Sequence, residues 1–97
     1  MLTHSPAFPG FSVDDIDAAA RFYRDVLGLA VAPEMDGMLL RITLGGGGFA
    51  IAYAKDDHVP ATFTVLNFPV DDIDATVDAL RAAGAEHVSL IKAAGTR

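Results

Sequence analysis

Apolar residues recur at steps of three and four through Val13, Ile16, Ala20, Tyr23 and Leu27, the single stripe of an amphipathic helix, and Gly28 follows as a residue suited to end it. The same stripe returns at Val70, Ile73, Val77 and Leu80, with Gly84 as its stop. Ahead of each helix runs an apolar stretch, Ala7 to Val13 in the first case and Ala61 to Val70 in the second, and both read as strands. In the second, Phe63, Val65 and Phe68 with Thr62 and Thr64 supply the β-branched and aromatic mix that suits a pleated surface. Between strand and helix stand Asp14-Asp15 and Asp71-Asp72, whose carboxylates can accept the free N–H groups of a helix start and favour its positive end.

After the first helix, Leu29 to Ala32, Met38 to Leu44 and Phe49 to Ala54 read as three strands, so that the order is βαβββ. Asp36-Gly37 marks a hairpin turn between the first two of these. The run Gly45 to Gly48 joins the next pair as a loop; a phosphate-cradling loop needs a following helix with Lys-Ser or Lys-Thr, and here an apolar strand follows. Lys55 to Pro60 is a polar linker.

The chain repeats itself. Val13-Asp14-Asp15-Ile16-Asp17-Ala18 is matched letter for letter by Val70-Asp71-Asp72-Ile73-Asp74-Ala75, an offset of 70 − 13 = 57. Phe11 and Phe68, and Arg24 and Arg81, match at the same offset, which makes this a duplicated unit. The second copy is short: after its helix only Glu86 to Lys92 remains, enough for one strand, where the first copy has three.

Composition narrows the chemistry. Ninety-seven residues with 52% apolar and 21% charged side chains describe one folded globular domain, α+β by the order of elements above, burying about 60 to 65% of its unfolded surface. No apolar run approaches the ~18 residues of a membrane span, and Met1 to Gly10 lacks the layout of a signal peptide, so the expected location is cytoplasmic. The absence of cysteine excludes disulfides, thiolate metal sites and a cysteine nucleophile. A net charge of -6 with seven scattered Lys and Arg excludes a nucleic-acid partner and favours a cationic over an anionic ligand.

The helix motif V-D-D-I-D-A-A-A-R-F-Y-R-D-V-L-G-L, with Phe22-Tyr23 and Leu27-Gly28-Leu29, and the strand leading straight into Val-Asp-Asp resemble the glyoxalase, bleomycin-resistance and dioxygenase superfamily, also called vicinal oxygen chelate, from about Ala7 to Glu86. The resemblance implies a βαβββ module over residues 7–55 and a partial second module (βα and a short strand) over 61–92, in a single domain spanning 1–97. In metal-dependent members of the superfamily, four inward side chains, usually His, Glu or Gln, hold one divalent ion with positions left open for two vicinal substrate oxygens. Carried over by position, three ligand sites fall on Phe8, Ala52 and Val65, none of which binds metal. A slip of one or two residues brings in Ser12, Tyr53, Thr64 or Asn67, and still no His or carboxylate. His4, His58 and His87 lie in a tail, a linker and a helix end, and read as solvated surface positions. Glu34 and Glu86 read as turn or strand-end carboxylates, and helix capping accounts for Asp14, Asp15, Asp71 and Asp72.

No metal or other cofactor is therefore expected, and the leading expectation is a small-molecule binder of the bleomycin-resistance kind, its cleft lined by Phe8, Phe49, Tyr53, Phe63 and Asn67. Ordinary core packing accounts equally well for the phenylalanines, whereas a buried Tyr53 or Asn67 would need a polar partner. The alternatives are a lyase or dioxygenase of the same superfamily using a divalent metal, a metal-free enzyme with Tyr53 as acid, and an assembly module. Relative to the superfamily about 20 to 30 residues of strand and turn are missing from the second copy. An incomplete sheet exposes an edge and an apolar face, which a homodimer would cover; a truncated relative of a longer protein would explain the short end equally well.

Overall fold

The computed structural model describes residues 1–60 and 65–85. In chain order these form β1 (Gly10–Val13), α1 (Ile16–Arg21), a π-helical turn (Phe22–Val26), β2 (Val31–Glu34), β3 (Leu39–Thr43), β4 (Phe49–Ala54) and α2 (Ile73–Ala82). The strands make one mixed sheet in the order β1-β4-β3-β2. β1 runs parallel to β4, with Gly10 opposite Ile51 and Ser12 opposite Tyr53, while β2–β3 and β3–β4 are antiparallel. A parallel neighbour needs a crossover, and α1 with β2 and β3 supplies it.

Both helices start where the duplicated motif places them. Asp15 sits in extended backbone and its carboxylate accepts from the Ala18 N–H at 3.1 Å; Asp72 does the same for Ala75 at 3.0 Å. The second aspartate of each pair is thus the cap, and Asp14 and Asp71 lie exposed just ahead of it. The first helix does not run regularly to Gly28. From Phe22 its hydrogen bonds widen, as Leu27 N–H reaches the Phe22 carbonyl at 3.1 Å, and Gly28 then ends the element at φ +73.

The strand boundaries differ modestly from those read off the pattern. β1 is paired only from Gly10 rather than Ala7, and β2 starts at Val31 rather than Leu29 and runs on through Pro33, which is tolerated because β2 is an edge. The β2–β3 turn carries positive φ at Met35, Asp36 and Gly37, and the glycine run folds as a tight turn closed by Leu44 N–H to the Gly48 carbonyl. Residues 65–70 have no regular secondary structure, so the strand expected over Ala61 to Val70 is not formed in that part. Its first half, and the strand expected at Glu86 to Lys92, lie outside the described residues.

Period-two alternation gives the sheet two unlike faces. Leu40, Ile42, Ala50 and Ala52 are fully buried, and Phe11, Val13, Ile16, Ala19, Ala20 and Tyr23 pack with them, so this face lies under α1. Burying side chains such as Leu40 and Ile42 stabilises the fold by about 1.5 to 3 kcal/mol each. The odd-numbered residues of β3 and β4, with Gly10 and Ser12 of β1, occupy the opposite face, which no described element covers.

Candidate functional site

On that open face Phe8 stacks against Phe49, ring centroids 4.7 Å apart and planes inclined by 27°. Phe8 keeps 53% of its surface exposed, so this pair is a surface platform rather than core. Arg41, one strand over, lays its guanidinium 4.1 Å above the Phe49 ring, and its Nε donates to Glu34 Oε2 at 2.9 Å. The stack, the cation over it and the carboxylate behind it form a continuous strip from the segment ahead of β1 across β4, β3 and β2. Both charged residues are about two-fifths exposed, so water screens the pair and its contribution to stability is at most about 1 kcal/mol.

Four residues further along β4, Tyr53 stands opposite Ser12 and is 39% exposed. Its ring reaches over β1 to Gly10, where a Cβ would come within 3.8 Å of the Tyr53 ring. Next to it, Ser12 Oγ lies 2.8 Å from His58 Nδ1, a half-buried contact between residues 46 apart in sequence. His58 is therefore engaged, contrary to the solvated surface position expected for it; the chain leaving β4 turns back to bring the ring onto β1. Along the outer side of β1 this leaves a cavity of about 700 Å³, lined by Phe11, Ser12, Tyr23, Tyr53, His58 and Val65 among others. Burial raises the Tyr23 phenol above its ordinary 10.0. Elsewhere, the hydrogen bond from Arg24 holds the Asp25 carboxyl low, but that pair is fully solvent-exposed and lines no cleft.

Of the five lining residues expected from sequence, the structure brings Phe8 and Phe49 together and sets Tyr53 on the same face. Asn67 is exposed rather than buried, and Phe63 lies outside the described residues. Arg41 went unnoticed in the sequence, although a lone charge inside the apolar run Met38 to Leu44 is a signal that it faces away from the core. The Ser12–His58 contact had no local signal at all.

The ligand positions carried over from metal-dependent relatives can now be placed. Ala52 belongs to the core under α1, so the residues of β4 that face the open side are Phe49, Ile51 and Tyr53. Phe8 offers only carbon, and Val65 likewise. The carboxylate on the face, Glu34, is committed to Arg41. Among the described residues no three His, Asp or Glu side chains are grouped to hold a metal ion. The donors among the described residues do not fit a divalent cation, which wants several oxygen or imidazole ligands converging at about 2.0 to 2.6 Å.

A mixed βαβββ sheet, with one face under its crossover helix and the other open, makes an α+β module. The model of the Glyoxalase/Bleomycin resistance protein/Dioxygenase superfamily matches residues 7–96, and the chain belongs to that superfamily. Solved structures agree on the fold. An integron cassette protein from the Halifax Harbour sewage outfall metagenome superposes with a TM-score of 0.63 at 15% identity, over 80% of this chain and 71% of that one. A hypothetical protein from S. aureus gives 0.62 at 21% identity, over 84% and 72%. Lactoylglutathione lyase from Agrobacterium tumefaciens gives 0.51 at 22% identity, over 84% and 69%. No curated protein matches the chain. Among the described residues no helix is long and apolar enough to cross a membrane.

Proposed function

We propose that this is a metal-free small-molecule-binding member of the superfamily, acting as a cytoplasmic homodimer, with Phe8, Phe49, Tyr53, Phe63 and Asn67 as its ligand-binding residues. Residues 1–97 form one domain in this reading, with 7–55 as the full module and 61–92 as the partial one. The observation that carries it is the Phe8–Phe49 stack on the open face, at the place where the superfamily resemblance puts a metal ligand. An exposed aromatic platform flanked by one charged pair binds flat organic molecules by stacking and burial of apolar area. A homodimer would cover the remaining open sheet surface without new sequence.

The competing reading, a lyase or dioxygenase using a divalent metal, starts from Glu34 as the carboxylate on that face and requires Arg41 to release it. Light scattering on a size-exclusion column, with and without added Zn²⁺, Ni²⁺ or Mn²⁺ and with metal analysis of the peak, separates the two. Dimer mass with no stoichiometric metal is the expected outcome. One ion per chain would overturn the binding-module reading and restore the metal-dependent one.

A further inference from the structure

We infer that the cavity beside β1 is a second binding site, built for an uncharged ring-bearing molecule with one carbonyl or hydroxyl oxygen, and anchored by the Ser12–His58 pair. Tyr53, one of the ligand-binding residues proposed above, borders it, whereas the Phe8–Phe49 stack lies apart: Phe49 and Tyr53 are four residues apart on β4, about 13 Å at the rise of a strand. Three observations fix the class of ligand. The volume, about 700 Å³, falls within the range of small-molecule sites. The walls are aromatic or branched, with Phe11, Val13 and Tyr23 from the helix-covered face of the sheet, Tyr53 from the open face, and Val59 and Val65 beside them, and among the described residues no Asp, Glu, Lys or Arg lines the space. A charged guest would lose its hydration there and gain no counter-charge.

The third observation is the polar pair. Ser12 Oγ and His58 Nδ1 lie 2.8 Å apart, and when the hydroxyl donates to Nδ1 the imidazole carries its proton on Nε2. That N–H is a donor for a guest oxygen, and the serine oxygen keeps acceptor capacity for a guest hydroxyl. The same contact ties the chain after β4 back to β1 and so holds one wall of the cavity.

The test is an NMR titration of the full chain with acetophenone, and with toluene and benzoate as the oxygen-free and charged counterparts. Acetophenone is expected to shift the Tyr23, Tyr53 and His58 ring signals and to bind more tightly than either control. Ser12→Ala and His58→Ala should each weaken it about 3- to 10-fold, the worth of one hydrogen bond. Val59 is 76% exposed, so Val59→Trp should fold normally while filling the cavity and abolishing the shifts. Equal binding of toluene and acetophenone, or acetophenone binding unchanged in all three variants, overturns the inference. So does a titration that moves only Phe8 and Phe49, which would leave the platform reading standing, or one that moves nothing at millimolar acetophenone.

Discussion

Which residues of β4 can carry function depends on its phase, and two adjacent substitutions test that phase directly. Ala52→His places an imidazole at the position a superfamily ligand would take by sequence, and Tyr53→His places it one residue on. Ala52 is fully buried against Leu40 and Ile42 and stands opposite Phe11 and Leu40 in the sheet. Forcing a larger side chain into that packed layer costs about 1 to 3 kcal/mol. Leaving its nitrogens without partners there costs a further ~1 to 3 kcal/mol. The total, about 2 to 6 kcal/mol, is a large share of the ~5 to 15 kcal/mol that a chain of this length commands. Tyr53 is 39% exposed on the open face, so its replacement should cost no more than about 1 kcal/mol. Guanidinium unfolding followed by circular dichroism measures both. Ala52→His is expected to lower the midpoint severely or to prevent folding, and Tyr53→His to leave it nearly unchanged. If Ala52→His were as stable as the parent, the strand would be out of register by one, and every side chain assigned to the open face would move to the core.

Three further outcomes follow from the geometry. Asp15→Ala and Asp72→Ala each remove an N-cap and should each cost about 1 kcal/mol, while the corresponding Asn variants keep most of the stability; thermal melts resolve the difference, since 1 kcal/mol moves the midpoint by about 4 to 8 °C in a domain this small. Tyr23 has a raised pKa because the fold favours its neutral form, so its contribution is complete below the ordinary tyrosine value and is lost as pH rises through the raised one. Ultraviolet titration should therefore show one tyrosine ionising late, and Tyr23→Phe should remove that late component. Arg41→Ala should lower stability by no more than about 1 kcal/mol, shrinking in high salt, and should shift the Phe49 ring resonances by far more than any other aromatic signal.

Much of the module was legible in the chain because local chemistry dictates it. The paired aspartates announce two helix starts, the β3 and β4 runs are bounded by turns, and Gly28 and Gly84 adopt the positive φ that only glycine takes easily. Other features are settled by contacts that no window of sequence contains. Phe-Ala-Ile-Ala-Tyr-Ala is apolar on both faces, so alternation alone does not say that the small residues face the helix; the bulk of Leu40, Ile42 and α1 decides it. The apolar pattern ended β2 at Ala32, yet the strand runs on through Pro33, because an edge position spares it the missing N–H. The widening at Phe22–Val26 has no residue signature, and the Ser12–His58 contact joins a strand to a linker 46 positions away. The carbon at Phe8 and the apolar β4 residues were plain from the start.

Pro33 also gives the sheet a direction of growth. It stands in β2, one rim of the four strands, and a strand arriving there would meet a ring where it needs a donor. The opposite rim is β1, which has no proline within Gly10–Val13 and carries Ser12. Any strand that extends this sheet, from the same chain or from a second copy, is steered to the β1 side, and so assembly and the His58-lined cavity compete for, or share, one border of the molecule.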